Sequence, residues 1–158
     1  MLSKKAQYSI YALLRLASEY QQGPMQISEI AKQERLPKKF LETILLELKN
    51  KGIVNSKKGK GGGYYLIKDP KEVNLAQIIR IFDGALALLP CVTYNYYESC
   101  NHCKDENTCG LRFAIKQLRD ETVKILKGYS LDDINRIEKW LKTNQFADKP
   151  ENTLNDEK

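Results

Sequence analysis

Four cysteines, Cys91, Cys100, Cys103 and Cys109, fall within nineteen positions, and the rest of the sequence has none. Their spacing is Cys91-x8-Cys100-x2-Cys103-x5-Cys109. A Cys-x2-Cys pair accepts either Zn²⁺ or an iron–sulphur centre, because both take thiolates. A structural zinc site usually pairs two such units. Here one pair stands with two outlying cysteines in a stretch without clear periodicity, which suits an iron–sulphur cluster at least as well. Four thiolates would complete a 2Fe–2S, a 4Fe–4S or a zinc site. Without metal, the same residues are reduced free thiols with Cys91 partly buried behind Pro90, or a disulfide switch between Cys100 and Cys103. His102, the only histidine, reads as an exposed loop residue, Asp105 and Glu106 as solvated acids, and Tyr94, Tyr96 and Tyr97 as packing groups.

A second chemical feature precedes the cysteines. Lys57-Lys58-Gly59-Lys60-Gly61-Gly62-Gly63-Tyr64 combines cations with glycines. Lys57, Lys58 and Lys60 supply charge for phosphates. Gly61, Gly62 and Gly63 allow a tight turn and close backbone approach. Such a hairpin can run along a phosphate backbone or dip into a minor groove, where a cation is favoured.

Charge is distributed to match. Residues 1–68 carry 13 Lys/Arg and 5 Asp/Glu, a balance of +8, whereas residues 69–158 are at −2. An excess confined to one half points to a polyanionic partner for that half. The start of the chain lacks the apolar core and cleavage site of a signal peptide, and no apolar run is long enough to span a bilayer. A cytoplasmic protein without membrane contact is expected, where thiols stay reduced and clustered cysteines serve as ligands or sensors.

The elements that must position these groups are legible in outline. Ser3 can cap a helix over about residues 4–21, with Ile10, Leu13, Leu14 and Ala17 recurring at helical spacing and Tyr11 and Leu16 broadening the stripe. Gly23-Pro24 ends it. A short helix over residues 27–33 contains Ser28, and a polar turn at residues 34–36 follows. Pro37 suits the first position of the next helix, over residues 37–51. Phe40, Leu41, Ile44, Leu45 and Leu48 form its buried stripe, Lys38, Lys39, Glu42 and Thr43 face outward, and Gly52 stops it. Two short helices about a tight turn read as a helix-turn-helix. Strands at residues 53–56 and 64–67 flank the Lys/Gly tip and make it a wing.

Asn74 caps a helix with Leu75, Ile78, Ile79 and Phe82 on one face, closed by Asp83-Gly84. Residues 85–109 form an irregular cysteine loop. A helix over residues 110–127 shows Leu111, Ile115, Leu118, Thr122, Ile125 and Leu126 on one side, and Gly128 ends it. Ser130 and Asp133 resemble a capping box opening a last helix over residues 131–142. From Thr143 the chain is polar, with the composition of a disordered tail. The expected class is therefore mainly α with a small β-wing. A winged helix-turn-helix domain spans 1–84 and a sensor loop 85–109. A long dimerisation helix and a C-terminal helix occupy 110–142, and a tail 143–158.

In this frame Ser28, Lys38, Lys39, Thr43, the wing residues and Tyr64 are candidate contacts to double-stranded DNA. Glu42 is informative because phosphate repels a carboxylate. Facing DNA, it would accept from cytosine N4 or reject wrong sequences; otherwise it forms an outward salt bridge.

These motifs resemble the Rrf-two family of winged-helix transcriptional regulators. The likeness rests on Leu2-Ser3-Lys4-Lys5-Ala6-Gln7-Tyr8, Leu41-Glu42, Lys58-Gly59-Lys60-Gly61-Gly62-Gly63-Tyr64, Asp69-Pro70, Leu75-Ala76-Gln77-Ile78-Ile79 and Asp83-Gly84, and covers about residues 1–135. It implies a homodimer joined through the helix after Cys109, a palindromic promoter site, and, in cluster-binding members, three cysteines in the loop. Cys91 matches the first and Cys109 the third, while Cys103 and Cys100 are alternatives for the second. One type of member adds a histidine three residues after the third cysteine, where this chain has Arg112. Another type adds an N-terminal aspartate, where it has Gln7. The extra cysteine can then serve as fourth ligand. The resemblance implies a regulator, in repressor form, sensing iron–sulphur, redox or nitric-oxide status. The alternatives are a regulator without a cluster, controlled by thiol chemistry or a protein partner, and a module whose winged helix binds protein. No nucleophile–base pair or phosphate-binding loop points to an enzyme.

Overall fold

The computed structural model describes residues 1–144. The expected tail over 143–158 therefore lies almost wholly outside the described residues. Six helices and one two-stranded sheet follow in the order α1 (Lys4–Ser18), α2 (Ile27–Gln33), α3 (Lys38–Asn50), β1 (Val54–Lys57), β2 (Gly63–Leu66), α4 (Leu75–Asp83), α5 (Gly110–Gly128) and α6 (Leu131–Thr143). A single short turn of tighter helix, Pro90–Val92, interrupts the long loop before α5.

Ser3 caps α1 as its position predicts, its Oγ accepting the Ala6 N–H at 3.0 Å. Its own N–H and hydroxyl both reach the Asp83 carboxylate at the end of α4. The helix ends at Ser18, sooner than residue 21, because Gln21 takes a positive φ of 66° before Gly23 is reached. Its buried face also differs from the expected stripe. Ala6, Ser9, Ala12, Leu13 and Leu16 are buried, while Ile10, Leu14 and Ala17 flank that face and Tyr11 is exposed. Small residues at 6, 9 and 12 let neighbouring helices approach closely, a demand a hydrophobicity stripe does not register.

In α3, Leu41, Ile44, Leu45 and Leu48 are buried and set the rotation of the helix. At about 1.5–3 kcal/mol for each buried aliphatic side chain, they outweigh any local preference of the polar residues. Phe40 does not join them. It is 40% exposed and meets the ring of Tyr8 edge-on, with centroids 5.7 Å apart. Pro37 sits one place earlier than expected, at the cap, in an extended conformation (ψ 118°). Gly52, just past the helix end, has φ 68°, the left-handed geometry expected of a helix stop.

The strands pair antiparallel from Val54↔Leu66 to Lys57↔Gly63, one residue displaced from the expected spans. Tyr64 also exchanges two backbone hydrogen bonds of 2.8 Å with Met25, which fastens the wing to the segment ahead of α2. Asn74 and Gln77 form a reciprocal capping box on α4, and Ser130 and Asp133 form one on α6. Ala76, Ile78 and Ile79 are the buried residues of α4, with Phe82 half-buried and Leu75 at the margin. The start of α6 docks on the chain before α4 through Leu131 N–H to Val73 O (2.9 Å) and Leu75 N–H to Tyr129 O (3.0 Å). Leu131 is fully buried with Leu13, Ile30 and Leu48, so α6 packs back onto the core beside α1. By contrast α5 meets the rest of the chain mainly through α4 and the Pro90–Val92 turn.

Candidate nucleic-acid interface and thiol site

The four anchors of α3 leave Lys38, Lys39, Glu42 and Thr43 exposed on its other side. The first turn carries no acidic residue and no side-chain cap, so the leading N–H groups of α3 are open to an anion. Among the described residues, none of Lys38, Lys39 and Glu42 forms a salt bridge, so the outward salt bridge considered for Glu42 is not formed. Ser28 is exposed on α2, its hydroxyl 3.5 Å from Gln26 Oε1.

At the wing, Lys57, Lys58 and Lys60 are exposed. The glycines divide into two kinds. Gly61 has φ 75°, a conformation side chains rarely adopt. Gly62 and Gly63 are glycines for want of space. A Cβ on Gly62 would lie 2.3 Å from Lys57 O, and one on Gly63 would lie 2.2 Å from Met25 O. Tyr64 is half-buried against the core.

The cysteine loop is held from one side of α5. Cys109 caps that helix, its Sγ accepting the Arg112 N–H at 3.4 Å. This hydrogen bond, with a second from Cys103, draws the Cys109 thiol below its ordinary pKa. Burial and the Cys109 contact push the Cys103 thiol up. Cys100 lies a turn away, its carbonyl accepting the Cys103 N–H at 3.1 Å, and is exposed. Cys91 is 5% exposed.

Two arginines keep the Cys91 segment in place. Arg112 Nε donates to Cys91 O at 3.3 Å, and its guanidinium pairs with Glu106 at 3.4 Å. Arg119, the one buried residue of α5, donates to Val92 O, to Tyr94 Oη (3.1 Å) and to Asp120 Oδ1 (2.6 Å from Nη2), and lies over the Tyr94 ring at 4.1 Å. Tyr94 is thus a partner of Arg119 and Tyr97 a donor to Glu106, roles more specific than general packing. Sequence reasoning overlooked Arg119 and noted Arg112 only where a histidine was wanted. The available signal was their seven-residue spacing, two helical turns, which sets both on one face.

Four thiolates on one loop have the right donor chemistry for iron–sulphur or zinc. Their arrangement does not fit such a group. Among the described residues no three Cys, His, Asp or Glu side chains gather closely enough to hold a metal ion. Cys91 is buried in the arginine-held segment, whereas Cys100 is exposed.

On α5 the expected apolar stripe is largely uncovered by this chain. Leu111 is 64%, Leu118 50% and Ile125 57% exposed. These residues recur every seven positions beside a cleft of about 670 Å³ lined by Leu86, Leu88, Ile115 and Leu126. No helix among the described residues is long and apolar enough to cross a membrane.

Comparison with known proteins follows the same lines. The family described as "Rrf2: Iron-dependent Transcriptional regulator" matches residues 2–136. An rrf2-like HTH-type transcriptional regulator of Rhodobacter capsulatus is 36% identical over 85% of this chain and 91% of its own length. The HTH-type transcriptional regulator CymR of Bacillus subtilis is 30% identical over 77% of this chain and 84% of its own. The solved structure of that regulator, titled the global cysteine regulator of B. subtilis, superposes with a TM-score of 0.71 at 25% identity, covering 87% of this chain and 97% of the other. The IscR structure from T. potens shares the fold, with a TM-score of 0.66 at 20% identity over 95% of this chain and 93% of its own.

Proposed function

The chain belongs to the Rrf2 family of transcriptional regulators, and on that premise we propose that it is a cytoplasmic, homodimeric repressor that binds a palindromic promoter site and responds to redox, nitric-oxide or iron–sulphur status through residues 85–109. Residues 1–84 act as the winged DNA-binding domain and α5 as the dimer helix. The single observation that carries DNA recognition is the exposed, unpaired set Lys38, Lys39, Glu42 and Thr43 on α3, turned outward by four buried anchors. Lys38, Lys39, Lys57, Lys58 and Lys60 bind phosphates, while Glu42 and Thr43 read base edges. Ser28 and the backbone at Gly61, Gly62, Gly63 and Tyr64 fix the register.

Fluorescence anisotropy titration at several salt concentrations tests this. The affinity should fall steeply with salt, and the slope should shrink by about 1 for each phosphate-binding lysine replaced by alanine. A salt-insensitive complex, or one with a protein in place of DNA, would refute it.

The sensor has two readings. The family's description as iron-dependent supports an iron–sulphur cluster on Cys91, Cys100, Cys103 and Cys109, and zinc would use the same thiolates. That reading requires the buried Cys91 to be brought together with the other three cysteines. Four free cysteines, no three of which gather with other ligands into a metal site among the described residues, favour control by thiol chemistry. Anaerobic purification with absorbance spectroscopy and iron, sulphide and zinc analysis separates them. A coloured protein with stoichiometric iron and sulphide supports the cluster, and a colourless, metal-free protein that still binds its promoter supports the thiols.

A further inference from the structure

We propose that the cleft between the end of α4, residues 93–96 and α5 binds a small organic monocarboxylate, and that its occupation changes DNA affinity. The binding site stands by itself. Only its effect on DNA rests on the regulator reading.

The cleft holds about 320 Å³ and draws its walls from several parts of the chain. Arg80 comes from α4, Ala87 from the segment after it, Tyr94 and Tyr96 from the loop, and Arg119 and Val123 from α5. That volume lies at the small end of the range for ligand pockets and suits a molecule of roughly ten heavy atoms.

Charge decides the sign of the ligand. Arg119 is a cation with only 6% exposure. Its Nε and Nη2 both donate to Asp120 Oδ1, Nη2 also donates to Tyr94 Oη, and Nη1 donates to Val92 O. Among the described residues, those bonds leave one N–H of Nη1 without a partner, and a buried donor left open favours an acceptor from outside. Arg80 has no carboxylate within salt-bridge distance among the described residues. Arg80 and Arg119, set against Asp120, therefore leave a single positive charge in excess. A monoanion neutralises that excess, whereas a dianion would also be repelled by the Asp120 carboxylate.

The remaining walls decide the body of the ligand. Ala85, Leu86, Ala87 and Val123 are apolar, and Tyr94 and Tyr96 add aromatic rings. Inorganic phosphate has nothing to set against such walls. A carboxylate joined to an aromatic ring or a short aliphatic chain does, and burial of that group supplies the hydrophobic part of the affinity. Thr93 and Asn95 add polar groups of the kind that orient a bound molecule.

The position of the cleft links it to the fold. Arg80 belongs to α4, which packs on α1, and Arg119 belongs to α5. A carboxylate held by both arginines ties the two helices together. It binds best in the arrangement that brings both guanidiniums to it, so its binding biases the angle between α4 and α5. In the proposed dimer, joined through α5, that angle sets the separation of the two recognition helices.

The test offers matched ligand pairs to the reduced, full-length protein: benzoate and benzamide, phenylacetate and phenylacetamide, hexanoate and hexanamide. Inorganic phosphate serves as the charge alone. Binding is followed by saturation-transfer NMR and isothermal titration calorimetry. At least one acid should bind saturably, with millimolar affinity or tighter. Its amide should bind about tenfold more weakly or worse, and phosphate no better than the amide. Arg80→Ala should lower acid affinity about tenfold, with part recovered in Arg80→Lys. Ala87→Trp should abolish binding by filling the cleft. Arg80 is exposed and Ala87 half-exposed, and thermal unfolding checks that all three variants are folded. On a duplex enriched from a random library, the bound acid should change affinity by about fivefold or more, and Ala87→Trp should remove that change. Four results would each overturn the proposal: acid and amide binding alike, acid binding untouched by Arg80→Ala and Ala87→Trp, no saturable binding of any acid, or DNA affinity indifferent to the bound acid. Failure of the regulator reading shows separately, as a ligand-free protein that enriches no duplex, and calorimetry still decides the cleft.

Discussion

Glu42, proposed for recognition, and Gly63, set by packing, place two different demands on single positions. Glu42 is exposed on α3 and without an ion-pair partner, so its carboxylate is free to meet a base edge. Replacement by alanine is expected to relax selectivity at one base pair, with a loss of about 1–3 kcal/mol of discrimination and little change in salt slope. Anisotropy on a panel of single-base operator variants measures this; uniform weakening across the panel would mean that Glu42 only shapes the helix. Gly63 does a different task. The Met25 carbonyl fills the place of its Cβ, at 2.2 Å. Gly63→Ala should cost about 1–3 kcal/mol in urea denaturation through overpacking and loosening of the wing root. The sequence groups Gly62 and Gly63 with Gly61 as residues that allow a tight turn and close backbone approach. At Gly62 the crowding carbonyls belong to Lys57 and Gly59 of the turn itself, but at Gly63 the cause was not legible, because the crowding carbonyl belongs to Met25, nearly forty residues away in sequence.

The elements most readable in advance were those with local signals. Ser3, Asn74 and Ser130 each cap the helix they were expected to cap. The turn of α3 followed from its aliphatic spacing, apart from Phe40, which pairs with Tyr8 instead of entering the core. What escaped was tertiary: the small-residue face of α1, and the arginine pair of α5 that holds carbonyls twenty or more residues away. Helix α6 provides a test of its cap. Ser130→Ala should destabilise the protein by about 0.5–2 kcal/mol in denaturant unfolding. Hydrogen bonds from the Ser130 hydroxyl and backbone, with Arg136 nearby, hold the Asp133 carboxyl below its usual pKa. A depressed carboxyl stabilises the fold above its unfolded pKa of about 3.9, and that contribution is lost as pH falls through the lower folded value. Asp133→Asn is therefore expected to be less stable than the parent at neutral pH, with the gap closing on acidification. A gap that widens in acid would contradict the cap.

At the scale of the whole molecule, one helix is left without a complete partner in its own chain. Leu111, Leu118 and Ile125 follow one another at seven-residue intervals along α5 and remain half-exposed or more. A second copy is the proposed cover, since a twofold pairing of identical stripes is self-complementary and places two recognition helices for two half-sites. The double substitution Leu118→Asp with Ile125→Asp should yield a folded monomer by sedimentation, with promoter affinity reduced by at least about tenfold as the second half-site is lost. A variant that remains dimeric would move the interface elsewhere.

The central claim is that a twofold winged-helix protein reads a defined DNA sequence through α3 and the wing. Selection from a random duplex library with the reduced full-length protein, followed by sequencing of the bound fraction, tests it most directly. The account predicts enrichment of a single inverted repeat, with half-sites about one helical turn apart and enrichment lost when Lys38 and Lys39 are both replaced by alanine. A bound pool no different from the starting library would contradict it.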